Sequence, residues 1–390
     1  TAATNTSTPF NTSPMIVILK EPVLGEYVTT GSICSTVCCA LLTHVKERTM
    51  TETMQRWEMD AIGRDRLALK RAPIPEPKPG EVLVKVGAVS LNYREKLMIE
   101  SGMGMQLTLP FTPASDLSGT VHAVGDGVTR FAPGHRVISV FSPEWIDGPP
   151  RGNGRVPPYQ TLGGYYPGVL SEYVSFPADW FVRAPATLDD DEASTLPCAG
   201  LTAWFALVEK GRLHAGETVL IEGTGGVALF GLQIAKARGA KVIVVSGSAE
   251  KLARAKALGA DEGIDRSQED WVEAVYRLTA DRGADHVLEL VGGAHLAKAV
   301  RAAAVDGRIY QIGVLEGFEV SAPAGPLMLK NVTVQGIGVG HRRALEDFIG
   351  EVERVGLKPV IGGRYPLKDL PAALDHLDQG PFGKIVVEMP

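Results

Sequence analysis

Cysteine is scarce in this 390-residue chain, and it is unevenly placed. Cys34, Cys38 and Cys39 lie in the first tenth of the sequence, and only Cys198 follows. A single cysteine over residues 54–390 excludes an intradomain disulfide framework there and any four-cysteine zinc site. It fits a reducing, cytoplasmic setting. A basic excess is also missing. There are 39 Lys and Arg against 45 Asp and Glu, a net charge of −6. With no basic stripe either, a nucleic-acid partner is not expected. No apolar run reaches the roughly 18 residues of a membrane span, so no membrane partner is expected. What remains is an ordinary globular balance of 45% hydrophobic and 22% charged residues with 44 Gly and 26 Pro. At about 150 residues per domain, the length suits two domains with large cores.

Residues 1–53 stand apart, with 16 Ser or Thr and only three Lys or Arg. The opening TAATNTSTPFNTSP has no helical or strand period. The run ICSTVCCALL (33–42) has the length of a signal-peptide apolar region, but no basic segment closely precedes it. The segment is expected to be a poorly ordered leader or extension and is set aside from the fold; a targeting role stays open.

From Met54 the pattern changes. The alternating Pro73, Pro75, Pro77 and Pro79 rule out a helix there. EVLVKVGAVSLN (81–92), GTVHAVGDGV (119–128), HRVISVF (135–141) and SEYVSFP (171–177) read as short strands. Asp126-Gly127 and Pro133-Gly134 supply turns between them. This style predicts a β-barrel-like domain. A long loop, about residues 142–168, carries Trp145, Tyr159, Tyr165 and Tyr166. Loops of this length are commonly functional. Its aromatics either line a ligand pocket or pin the loop to the barrel.

Near residue 200 the period changes again. The strand ETVLIEG (217–223) runs into Gly223-Thr224-Gly225-Gly226-Val227-Ala228, a G-x-G-x-x-A dinucleotide fingerprint. The helix 228–239 and the strand KVIVVS (241–246) give it the required context, placing a pyrophosphate at a helix N-terminus. Strands at 262–265, 286–291, 308–313 and 332–337 complete a six-stranded doubly wound parallel sheet. By the strand-end rule Val291-Gly292, Ile312-Gly313-Val314 and Ile337-Gly338 face the cofactor crevice. The second strand ends in Ser246-Gly247-Ser248 with Lys251 beyond, and no carboxylate holds a ribose 2′-OH. Two hydroxyls and a cation suit a 2′-phosphate, so NADP(H) is preferred over NAD(H). Lys251 as a merely solvated helix cation is the competing view.

The segments GEVLVKVGAVSLNYRE (80–95), SDLSGTVHAVGDGVTRF (115–131), LPCAGLTAW (196–204), GTGGVALFGLQIAKARGAKVI (223–243), KALGAD (256–261) and FGKIVV (382–387) together resemble the medium-chain dehydrogenase/reductase superfamily over essentially all of 54–390. The resemblance implies an α/β fold. A GroES-like catalytic domain (54–198 and 344–390) would be interrupted by a Rossmann domain (199–343), with a homodimer formed through the Rossmann sheets. It places Thr202 near the nicotinamide and Lys384 at a late cofactor-adjacent position. Arg342 and Arg343 are candidates to reach the phosphates or the substrate mouth.

Zinc-dependent members of the family carry Cys where this chain has Asn92, Gly-His-Glu where it has Ala114-Ser115-Asp116, and a Cys aligned with Cys198. One soft ligand of three is left, short of the three protein ligands that a catalytic zinc requires, so no zinc is expected. The chain therefore resembles the zinc-free, quinone-oxidoreductase-like branch. Without a metal electrophile, a conjugated substrate is easier to reduce than a simple ketone, because its enolate is already delocalised and a hydrogen-bond donor suffices. Tyr93, with Asn92 beside it, is the candidate donor; a pocket-wall role for Tyr93 stays open. The expected function is NAD(P)H-dependent reduction of an enone or quinone. An NAD(P)-dependent alcohol dehydrogenase acting on a carbonyl or alcohol substrate is the first alternative. A non-catalytic NADPH-binding sensor or scaffold is the second.

Overall fold

The computed structural model describes residues 52–156 and 159–390. The expectation of a poorly ordered leader therefore lies outside the described residues, apart from Glu52 and Thr53. The described chain opens with a hairpin, β1 (Thr53–Met59) antiparallel to β2 (Leu67–Pro73). Next comes β3 (Glu81–Leu91), buried along most of its length, and then α1 (Tyr93–Ser101). The α1 helix starts where the Asn92 backbone N–H donates to Glu95 Oε2 at 2.6 Å, which satisfies a donor at the helix start. The strands β4 (Asp116–Val124), β5 (Arg136–Ser139), β6 (Tyr173–Pro177) and β7 (Phe181–Arg183) follow.

The chain then enters α2 (Asp190–Ala193) and a helical passage in which α3 (Leu201–Trp204) is flanked by π-turns at Leu196–Gly200 and Phe205–Lys210. Such widened turns recur at functional sites. Here the first carries Cys198 and delivers the chain into Thr202.

Strand and helix now alternate. The run is β8 (Thr218–Glu222), α4 (Gly226–Ala237), β9 (Lys241–Ser246), α5 (Ala249–Ala257), β10 (Glu262–Asp265), α6 (Trp271–Thr279), β11 (Ala284–Glu289), α7 (His295–Ala302), β12 (Ala303–Gln311), α8 (Ala324–Leu329) and β13 (Thr333–Gly336). All pairings in this sheet are parallel, in the order β10-β9-β8-β11-β12-β13. The strand order reverses between β8 and β11, which opens the crevice where doubly wound sheets bind ligands.

The chain ends with α9 (Arg342–Val355), β14 (Ile361–Pro366), α10 (Leu370–Asp378) and β15 (Lys384–Glu388). β15 pairs antiparallel with β3, so the last strand closes the first sheet, whose order is β14-β15-β3-β4-β5-β7 with β6 also on β3. α9 still packs with the parallel-sheet core. Phe348 is fully buried, with its ring centroid 5.5 Å from Trp204 and 6.1 Å from Phe230 of α4. After α9 the chain joins the first sheet at Val360, whose carbonyl accepts from Lys384 N at 2.9 Å, and β14 then pairs parallel with β15.

Candidate functional site

The glycine loop stands at the crevice. Gly223 has φ 103°, a conformation that favours glycine, and it turns the chain sharply off β8. Gly225 caps α4 with no side-chain bond to its first turn, so the N–H groups of Val227 and Ala228 are available to an anion. Thr224 is buried, and its carbonyl accepts from Gly383 N at 3.1 Å. A Cβ on Gly226 would fall 2.5 Å from Lys384 Cδ, so the absence of a side chain there makes room for the Lys384 stem. Ala228 is buried in the core, as close helix–strand packing requires.

At the end of β9, Ser246 is nearly buried and its Oγ accepts from Ser248 N at 3.3 Å. Ser248 Oγ in turn caps α5, accepting from Lys251 N at 3.3 Å. The Lys251 amine reaches back to the Gly380 carbonyl at 2.5 Å. A second cation at this strand end is one that the sequence reading missed. Arg266, just past β10, has guanidinium atoms 3.5–3.6 Å from where a Gly247 Cβ would lie. Its backbone N–H donates to Ser246 O at 3.0 Å. The pairing of β10 with β9 creates this proximity, and separation along the chain hid it.

The later strand ends gather as the strand-end rule requires. Buried Glu289 accepts from Val291 N and Gly292 N, both at 2.8 Å, and so shapes that turn. Ile312 N and Gly313 N donate to Glu289 O, and Val314 follows them. Ile337, with Gly338 after it, is held by Gln311 O at 3.0 Å. Thr202 is buried in α3. Glu222, on the strand beside Glu289, is pushed up to about 7 by burial and bonds His295 Nδ1 at 2.7 Å. Arg342 does not turn to the phosphates: its Nη1 bonds Asp179 Oδ1 at 2.9 Å, and largely exposed Arg343 pairs with Asp347. Asp179, between β6 and β7, holds the first side chain and Asp347 of α9 the second.

Across the crevice, the end of β3 and the starts of β4 and β15 bring together a buried polar centre. Lys384, 4% exposed, donates from Nζ to Leu91 O at 2.6 Å and to Asn92 Oδ1 at 2.5 Å. Asn92 Nδ2 donates to Asp116 Oδ2 at 3.0 Å, and Cys198 N donates to the same oxygen at 3.1 Å. Ser115 Oγ donates to Asp116 Oδ1 at 2.6 Å. Burial raises Asp116 to about 6, although Lys384 opposes the rise. Burial also pushes the Cys198 thiol well up, with Asp116 adding to it, so the sulfur stays protonated.

Tyr93 opens α1 half-buried, directly after Asn92. The loop aromatics divide their roles. Trp145 packs on Phe205 and His341, and Tyr166 bonds Glu144 and packs on Trp180 at 4.5 Å, so these two pin the loop. Tyr159 instead turns to the polar centre, where its hydroxyl accepts from Arg94 Nε at 2.9 Å.

These residues fit a nicotinamide dinucleotide. The open helix N-terminus would hold the pyrophosphate, the Ser246–Ser248 turn with Arg266 the adenosine ribose, and the ends of β11, β12 and β13 with Thr202 and Lys384 the nicotinamide half. They do not fit a zinc ion. Where metal ligands would stand, the chain offers an amide already bonded to Asp116 and Lys384, a serine hydroxyl and a protonated thiol, with an ammonium beside them. Among the described residues no group of three His, Cys, Asp or Glu side chains is arranged to hold a metal.

Comparison with known proteins agrees with this architecture. Residues 78–186 match the family described as "Alcohol dehydrogenase GroES-like domain", and 226–354 match "Zinc-binding dehydrogenase". A zinc-type alcohol dehydrogenase-like protein of Schizosaccharomyces pombe is 34% identical over 336 residues, 84% of this chain and 96% of its own length. The quinone oxidoreductase of Rattus norvegicus is 29% identical, covering 80% of this chain and 91% of its own length. A Sinorhizobium meliloti crystal structure, provisionally described as an alcohol dehydrogenase, is 63% identical. It has a TM-score of 0.84 and covers 87% of this chain and 99% of its own. The chain belongs to the medium-chain dehydrogenase/reductase superfamily, with a GroES-like domain and a Rossmann-type parallel sheet. It is an oxidoreductase, of a family whose cofactor is a nicotinamide dinucleotide, and the non-catalytic sensor or scaffold is thereby set aside.

Proposed function

We propose that this enzyme uses NADPH, without catalytic zinc, to reduce the activated C=C bond of an enone or a quinone. The observation that carries the reading is the polar centre itself: the position of the metal ligands is filled by Asn92 locked between Asp116 and Lys384. When bound, the cofactor supplies a hydride. The chain's own residues then stabilise the negative charge that develops on the substrate oxygen. Tyr93 and the second amide hydrogen of Asn92 are the donors proposed for that oxygen, and the Lys384 ammonium beside them adds positive potential. Ser246 and Arg266 support NADPH over NADH, since hydroxyls and a guanidinium suit a 2′-phosphate. The free thiol of Cys198 supports a reducing, cytoplasmic setting.

A second reading, NAD(P)-dependent alcohol oxidation, is favoured by the names of relatives such as the Schizosaccharomyces pombe protein. A two-way assay separates the two: NADPH with a panel of enones and quinones, then NADP⁺ with a panel of alcohols. Turnover confined to the first panel is expected, and turnover confined to alcohols contradicts the proposal.

The exposed apolar residues Met328 and Leu329 of α8 and Val334 of β13 border the free edge of the parallel sheet. They support a homodimer formed by edge-to-edge extension of that sheet.

A further inference from the structure

We propose that Tyr159 delivers the proton that completes substrate reduction, and that Arg94 holds it in position. This rests on the enone or quinone reading given above.

Arg94 is nearly buried, and its guanidinium is committed on every side. Nε donates to Tyr159 Oη at 2.9 Å, Nη1 faces Glu95 Oε1 at 3.3 Å, and Nη2 donates to Thr161 Oγ1 at 2.5 Å and Leu162 O at 3.0 Å. One side chain thus fixes three points of the 159–162 segment against the first turn of α1. The guanidinium also lies over the rings of Phe141 and Tyr159, at 5.0 and 5.5 Å from their centroids.

The chemistry of this contact has a direction. A guanidinium only donates, so the Tyr159 oxygen must accept from it. The phenolic hydrogen therefore points elsewhere, and no acceptor for it stands among the described residues. Burial raises the Tyr159 hydroxyl above its ordinary value although Arg94 pulls it down, so it carries its proton at neutral pH. Glu95 Oε1, which faces Arg94, also accepts from Ser115 Oγ at 3.2 Å, and that hydroxyl bonds Asp116 at 2.6 Å, so the Arg94–Tyr159 pair adjoins the polar centre. Tyr159 is also 37% exposed, so water can reach it.

The step balances as follows. Hydride, with its electron pair, bonds the β carbon of the enone. The C=C π pair shifts to form the enolate, whose charge rests on oxygen. The Tyr159 O–H bond breaks, its proton bonds that oxygen, and the enol forms. The tyrosinate left behind is stabilised by the Arg94 guanidinium and regains a proton from water. An oxidised nicotinamide is the other product. The enol then relaxes to the ketone in solvent.

Tyr159→Phe keeps the ring on Phe141 and Arg94 and removes only the hydroxyl. With NADPH saturating, kcat on an enone is expected to fall by about tenfold or more. A quinone should lose less, because its reduced anion is aromatic and needs the proton less urgently. A purely structural role would reduce both equally. A turnover-free readout accompanies this: 4-nitrophenolate, an enolate mimic, is titrated by its absorbance into the full chain. The wild type should bind it several-fold more tightly than Tyr159→Phe. Equal losses on both substrates, or unchanged 4-nitrophenolate binding, would overturn the proposal. Absence of any enone or quinone turnover in the wild type would instead sink the functional reading, and the phenolate titration would still decide the role of Tyr159.

Discussion

Asp116 is fully buried beside the Lys384 ammonium and several neutral donors, and the buried Glu95 carboxyl, a like charge, adds to the rise that burial causes. The folded Asp116 value of about 6 lies above the roughly 3.9 of an unfolded chain. The folded protein therefore holds more protons between about pH 4 and pH 6, and this group's contribution to stability falls as pH rises through that window. Asp116→Asn removes the titration. Urea unfolding midpoints of the variant and wild type, compared across that range, should differ in slope by about one proton; parallel profiles would contradict the assignment. At this scale the sequence was legible where a residue stands in place of another chemistry. Asn92 and Ser115, read as standing at ligand positions, are found at the buried polar centre beside Asp116. It was illegible where the partner is distant along the chain. Nothing in the local sequence says that Lys384 reaches Asn92 or that Arg94 reaches Tyr159, since both contacts are made by tertiary packing.

Elements of the parallel sheet were readable because each buried strand is a short apolar run bounded by turn residues. Strand 262–265 emerges at its predicted bounds, and the glycine loop joins β8 to α4 as its motif demands. The hairpin of β1 and β2 was not anticipated. Its second strand is largely half-exposed, so it lacks the alternation that marks a strand. Arg266 belongs to this scale too, because only the pairing of β10 with β9 brings it to Gly247. Arg266→Ala is expected to raise KM for NADPH by about tenfold while leaving KM for NADH nearly unchanged, in keeping with the loss of a charge-assisted bond to a 2′-phosphate. Equal changes for both cofactors would show that Arg266 does not read that phosphate.

For the whole molecule, the resemblance of the segments gave the order of the two sheets and the return of the last strand to the first, while composition gave only the size class. The free edge of β13 and the exposed Leu329, 86% accessible, bear on assembly. Leu329→Arg should shift the molar mass measured by light scattering from dimer toward monomer, and a monomeric wild type would contradict the dimer. The central claim is that NADPH reduces the substrate without a metal, at a centre where Asn92 held between Asp116 and Lys384 stands in place of metal ligands. It is tested most directly by metal analysis of the purified protein paired with single-turnover NADPH oxidation by an enone, before and after chelator treatment. The expected result is no stoichiometric zinc and an unchanged rate. One zinc per chain, with a rate that the chelator abolishes and zinc restores, would contradict it.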